Sequence, residues 1–285
     1  MKRFILSLLI VPLFFSCQKA DDQIPENNGP VFVTEYENNY GTFKLSYNAK
    51  NILSKVEYWT EGAYSSALYL NQVIEYNYSN DKLTGYTTRQ GGENTPPGDP
   101  VLTSFVFDDK GHITQSVSKN VKVADWKTNA DGKPTARIIS NGPSYEWEYT
   151  TEGNIKFHYQ TLGGSGWSST ASGSLSYHAD SNPFYTNGTG MALYAAFGYV
   201  AGSPAHLIPQ NLVSNILSES TMIINDPAPG STTKNSSNSS YTYTKDANGL
   251  LKNLMMVSKK EEFLNGVKTK GSENSYTYKF TCIRK

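Results

Sequence analysis

Tyr145-Glu146-Trp147-Glu148-Tyr149 alternates aromatic and acidic side chains, so an extended chain places three rings on one face and two carboxylates on the other. Such a run is either a core face backed by solvated carboxylates or a flat platform for stacking on the C–H faces of a sugar. Trp59, with Glu57 and Glu61 at the same strand parity, offers a second platform. Trp167 closes the loop-forming run Gly163-Gly164-Ser165-Gly166 and is the tryptophan expected to stand exposed. Trp59, Trp147 and Trp167 are therefore the candidate ligand-binding residues, and polysaccharide is the candidate ligand.

Other chemistry finds less support. A nucleophile elbow needs G-x-S-x-G, and Trp167 occupies the position of the last glycine. A calcium loop needs an oxygen ligand at its fifth position, where the Asp246 and Asn129 segments carry Leu250 and Lys133. His112, His158, His178 and His206 are widely separated, without metal-ligand spacing. A glycosidase pairs two carboxylates across one bond. Glu57, Glu61, Glu75, Glu146 and Glu148 fall on expected strands, but spacing cannot pair them. No catalytic residue, metal ligand or cofactor is assigned.

Composition narrows the rest. Lys and Arg total 25 against 25 Asp and Glu, a balance that gives no electrostatic case for nucleic acid. Twenty tyrosines and 23 glycines, with abundant Asn and Ser, point to a turn-rich β protein. Two cysteines cannot staple a scaffold or build a cysteine-based zinc site.

The N-terminus supplies an address. Lys2 and Arg3 precede an apolar run from Phe4 to Phe15, too short to span a bilayer and shaped like a secretory signal peptide over residues 1–16. The run ends in Phe14-Phe15-Ser16-Cys17, which resembles the lipobox of bacterial lipoproteins. That resemblance implies cleavage before Cys17, lipid on Cys17, and a membrane partner reached through the N-terminal lipid. Cys282 would then be a small buried hydrophobe in the last strand. Gln18-Lys19-Ala20-Asp21-Asp22 resembles the acidic export signal of Bacteroidota-type surface lipoproteins, which implies an outer-membrane, surface-facing protein. Residues 17–30 read as a lipidated tether, rich in polar residues and ending in Gly29-Pro30.

Residues 31–285 carry a recurring unit in which aromatic alternation meets an Asn/Asp/Gly turn and then aliphatic alternation. Examples are Tyr76-x-Tyr78 before Asn80-Asp81, Phe105-x-Phe107 before Asp108-Asp109-Lys110-Gly111, and Tyr241-x-Tyr243 before Asp246-Ala247-Asn248-Gly249. Both halves have the period of a half-buried strand. The pattern resembles degenerate YD repeats of RHS-type proteins, and more closely Bacteroidota-type outer-membrane lipoproteins built of such hairpins. The expected fold is one all-β domain, an antiparallel hairpin-repeat meander forming a curved sheet or partly closed barrel. Asn225–Ser240 is expected to be a polar hairpin tip. A short helical insert is expected near 188–212, from the spacing of Met191, Leu193, Tyr194 and Phe197 and from Ser203-Pro204 as a helix start, covering an exposed aromatic sheet face. The leading functional expectation is a non-catalytic lipid-anchored envelope protein that binds or scaffolds extracellular material. The alternatives are a structural partner of an outer-membrane protein and a glycan-active hydrolase.

Overall fold

The structure, a computed structural model, describes residues 29–62, 67–164, 167–197, 207–224 and 231–285. Ten strands come first: β1 (Val31–Asn38), β2 (Gly41–Tyr47), β3 (Leu53–Glu61), β4 (Leu68–Ser79), β5 (Lys82–Gln90), β6 (Val101–Phe107), β7 (Ile113–Ser118), β8 (Val121–Thr128), β9 (Pro134–Ile139) and β10 (Ser144–Tyr149). After β11 (Ile155–Gly164) the strands lengthen to 14–18 residues. These are β12 (Trp167–Ser181), β13 (Asn211–Ile224), β14 (Ser231–Lys245), β15 (Leu251–Leu264) and β16 (Val267–Arg284). Every strand pairs antiparallel with its sequence neighbours, and β16 returns to β1 from Val31↔Arg284 to Glu37↔Lys279. The sheet is thus a closed sixteen-strand barrel rather than a curved or partly closed one. Closure pairs both edges that an open sheet would expose.

The barrel has two unlike rims. At the proximal rim lie Val31, the β16 terminus, and turns that fix themselves with side-chain oxygens. Asn48 Oδ1 accepts the amides of Lys50 and Ile52, Asp108 Oδ1 those of Lys110 and His112, and Asp246 Oδ1 those of Asn248 and Leu250. Gly111 and Gly249 follow at φ of 79° and 74°, where a side chain would be strained. At the distal rim, β16 runs on past the end of β1, so one side of the barrel stands taller than the other.

Period-two alternation sends the aromatic residues inward. Tyr36, Phe43, Tyr58, Tyr76, Tyr86, Phe105, Trp126, Tyr145 and Trp147 form one buried cluster in the lumen. The helical insert joins them, covering the aromatic sheet face from within the barrel. A 3₁₀ turn, Pro183–Gly188, leads into α1 (Thr189–Phe197), which is buried almost all round. Asn182 anchors the entry, donating to the Pro209 carbonyl at 3.0 Å and accepting the Phe184 amide at 3.1 Å. Phe197 meets Phe43 edge-on at 5.2 Å, and Tyr194 meets Trp147 edge-on at 6.0 Å. Each fully buried ring or aliphatic side chain is worth about 1.5–3 kcal/mol, so lumen and plug stabilise one another. The expected helix start at Ser203-Pro204 lies outside the described residues.

One expected loop is a strand. Ser231–Ser240, read as part of a polar tip, belongs to β14. Serine has weak strand propensity, but context decides. Here both neighbours supply ladder pairs, and Ser218–Ser237 and Ser239–Ser258 hydroxyls bond across strands at 2.7 and 2.9 Å.

Candidate functional site

The lumen is not a passage at the level of α1, because backbone and side chains meet there. Tyr76 and Tyr86 donate their hydroxyls to the carbonyls of Ala192 and Ala195 at 3.1 and 3.3 Å. Arg137, inward on β9 and 8% exposed, donates to the carbonyls of Tyr194 and Ala195 at 3.0 and 3.3 Å. Its guanidinium lies 5.3 Å from the Trp126 ring and 5.4 Å from the Tyr194 ring. A cation at a helix C-terminus satisfies orphan carbonyls and opposes the negative end of the dipole. Burial raises the hydroxyl pKa values of Tyr86, Tyr145 and Tyr194, and the nearby Arg137 charge pulls each partway back. Sequence reasoning missed Arg137, because a single cation in Pro134–Ile139 gives no sign that it faces inward.

The outer face is charged. Glu35 and Glu37 on β1, Lys44 on β2, Lys55 and Glu57 on β3, Glu75 on β4 and Arg89 on β5 alternate with the inward aromatics. Several pair with one another, as in Lys55–Glu57 at 2.6 Å, Lys279–Glu37 at 2.7 Å and Arg89–Glu75 at 3.4 Å. The carboxylates weighed for catalysis, Glu57, Glu61, Glu75, Glu146 and Glu148, all stand on this outer face.

The three tryptophans part company. Trp147 is 3% exposed, its indole N–H bonded to Tyr149 Oη at 2.8 Å and its ring against Tyr194. It belongs to the core, because the inward face of Tyr145–Tyr149 is the aromatic one, and it offers no open stacking surface. Trp59 is half-buried on the outer face, with Lys44 Nζ 5.2 Å from its ring centroid. Beside it, hydrogen bonding to Lys55 holds the Glu57 carboxyl below the usual range. Trp167 opens β12 at the distal rim, half-buried and paired with Gly164 and Ile224. Exposed Ile224 beside it, with Met222, Leu264 and Val267 further along the same rim, makes an apolar tip on the tall side. The structure therefore brings none of the three tryptophans together in one site.

Cys17 lies outside the described residues. Cys282 is unpaired and half-buried in β16 against the core, and burial pushes its thiol up to about 12. His112 sits in the β6–β7 turn, 3.7 Å from Asp108, while His158 and His178 lie in strands. Among the described residues no three His, Cys, Asp or Glu side chains converge as metal ligands.

No family model matches the chain, and no curated protein sequence matches it. Among solved structures, a porin-like protein from Bacteroides uniformis aligns at 14% identity over 88% of this chain and 98% of its own, with a TM-score of 0.42. The TcdB2–TccC3 assembly aligns at 11% identity over 84% of this chain, with a TM-score of 0.23, and the Photorhabdus luminescens Tc holotoxin pore at 11% over 81%, with a TM-score of 0.24. The chain spans only 16% and 14% of those two toxin chains. The resemblance to YD/RHS hairpin-repeat proteins is corrected accordingly. The sixteen strands close on themselves as one barrel.

Proposed function

We propose that this chain is a non-catalytic, lipid-anchored protein of the outer membrane that works through the outside of its barrel, binding or scaffolding extracellular material, with polysaccharide as the leading ligand. The observation that carries the reading is the inversion of polarity. A barrel that spans a bilayer shows an apolar outer band about 25 Å tall and a polar interior. Here the interior is aromatic and plugged by α1, and charged side chains interrupt the outer face from β1 to β5 and again on β10, β13 and β15. Such a barrel gains nothing from lipid around it and needs a tether to stay at a membrane. The lipobox at Cys17 supplies one, since two or more acyl chains hold a protein stably at about 0.8 kcal/mol per buried CH₂. Because Val31 lies at the proximal rim, a tether on Cys17 would approach from that side and leave the tall distal rim, with Trp167, facing away from the lipid.

The test is fractionation of cells expressing the full chain or Cys17→Ser, with fatty-acid labelling. The anchored reading expects labelled protein in the outer-membrane fraction and unlabelled, soluble Cys17→Ser protein. A Cys17→Ser chain that stays in the membrane and resists alkaline extraction would instead mean that the barrel itself is embedded. The apolar tip favours a second reading, docking to an outer-membrane protein. Crosslinking from Val267 in cells would capture that partner.

A further inference from the structure

On the outer face of the tall side, strand register aligns two rows of side chains. One row is Phe157, Ser174, Leu217, Asn238 and Lys259, from β11 to β15. The next, two residues nearer the distal rim, is Tyr159, Ser172, Glu219, Ser236 and Glu261. Small serines thus alternate with large neighbours, and the surface sinks between them. The hollow encloses about 530 Å³, with Phe157 and Leu217 as walls and Ser172, Ser174 and Ser236 on its floor. A second hollow of about 310 Å³, over Glu146, Glu148 and Tyr159, shares Phe157 and continues it toward β8. From β10 to β15 the trough crosses five strand spacings, roughly 24 Å.

The chemistry of this trough is selective. Its hydroxyls and the Asn238 amide both donate and accept hydrogen bonds, while its carboxylates only accept. Phe157 and the 54%-exposed Leu217 present apolar surface to the same space. Glu146, Glu148, Glu219 and Glu261 outnumber Lys127 and Lys259, so the field disfavours a polyanion. The strands beneath it pair on both sides along these rows, so a peptide cannot add here as another strand. What remains matched is an uncharged chain with hydroxyls at its edges and C–H groups on its faces.

We propose that the trough centred on Phe157, Ser174 and Leu217 binds a neutral polysaccharide lying across the strands. This rests on the polysaccharide-binding reading above and gives it a site away from Trp59 and Trp167. The test is affinity electrophoresis of the detergent-solubilised full chain through gels containing a β-glucan, an α-glucan, an arabinoxylan, a galactomannan or, as polyanion, polygalacturonate. The variants are Ser174→Arg, which fills the trough from an outward position, Phe157→Ala, Trp59→Ala and Trp167→Ala, each checked by circular dichroism for an intact barrel. The proposal expects retardation by at least one neutral glycan, weakened about tenfold or more by Ser174→Arg and by Phe157→Ala and unchanged by the tryptophan variants. Retardation that survives Ser174→Arg but is lost in a tryptophan variant would overturn the trough and leave polysaccharide binding standing. Preference for polygalacturonate would also overturn it. Retardation by none of the glycans would remove both the trough and the polysaccharide reading.

Discussion

Tyr78 on β4 donates its hydroxyl to the Leu53 carbonyl, at the start of β3, at 2.8 Å. The same reach recurs around the proximal rim. Tyr47 bonds the Val33 carbonyl, Tyr149 that of Pro134 and Tyr177 that of Ile155, each tyrosine late in its strand reaching back to the preceding one. The phenol ties the start of the neighbouring strand to the end of its own. Tyr78→Phe removes the donor and leaves a partly buried carbonyl unpaired, at a cost of about 1–2 kcal/mol. For a chain of this size that lowers the melting midpoint by roughly 2–8 °C, readable by circular dichroism. An unchanged midpoint would show that water replaces the bond.

Arg137 is expected to matter more. Arg137→Met keeps apolar volume but removes the guanidinium donor from the Tyr194 and Ala195 carbonyls at the end of α1, of which Ala195 keeps the Tyr86 hydroxyl, for a loss of about 1–3 kcal/mol. Hydrogen exchange should rise selectively in Thr189–Phe197, while β12–β16 amides stay protected. Arg137→Lys restores charge but not the planar fork that serves two carbonyls, so it should rescue only in part. Equal loss of protection throughout the barrel would mean that plug and wall unfold as one unit.

Gly190 tests how tightly the plug is seated. A Cβ there would lie 1.7 Å from the Leu207 carbonyl oxygen. Backbone must move to admit it, so Gly190→Ala should destabilise by more than the ordinary 0.5–3 kcal/mol of a point mutation. Gly249→Ala meets nothing within 4 Å, and its cost is confined to strain at φ 74°. Chemical denaturation of the two variants side by side reads the difference.

Alkali should unfold the protein cooperatively. Burial raises the hydroxyl pKa of Tyr36, Tyr76 and Tyr243, and pushes Tyr78 and Tyr149 up to about 12. A folded pKa above the unfolded value of about 10 contributes stability that is whole below pH 10 and is lost as pH rises through the folded value. Tyrosinate absorbance and far-ultraviolet dichroism should therefore change together above pH 10. Smooth, independent tyrosine titration with an intact sheet would contradict the packed lumen.

The tryptophans should separate by stability. Trp147→Ala empties a core position and should cost about 3–5 kcal/mol, whereas Trp167→Ala at the distal rim should stay near 1 kcal/mol or below. In iodide quenching, the loss of accessible emission should follow Trp167→Ala and not Trp147→Ala. The reverse would exchange their places in the fold.

The proximal turns were legible because their chemistry is local. Asp108 and Asp246 close their own turns, and a glycine three residues on takes the positive φ. That the aromatics of each strand share one face was legible from period two, while burial shows that this face is the inner one. Closure was not, since Val31 meets Arg284 across almost the whole chain and no local pattern encodes that pairing. The insert was found by its helical spacing, but nothing local to α1 says that the aromatic face it covers is the inside of a closed barrel. Ser231–Ser240 hid a strand behind a loop-like composition. At the site level, Tyr145–Tyr149 left Trp147 open between core and platform until burial decided it. The trough depends on register across β11–β15, which a single strand does not carry.

The place of β1 has a mechanical consequence. The chain enters at Val31 on the proximal rim, and β1 lies between β2 and β16, bonded along both flanks. A pull arriving through the preceding residues, resisted by something held on the tall side, acts along the axis of β1. Its cross-strand bonds lie perpendicular to that pull and share the load at once, instead of opening in succession like a zipper. The barrel is thus braced against tension applied through the chain that enters at Val31.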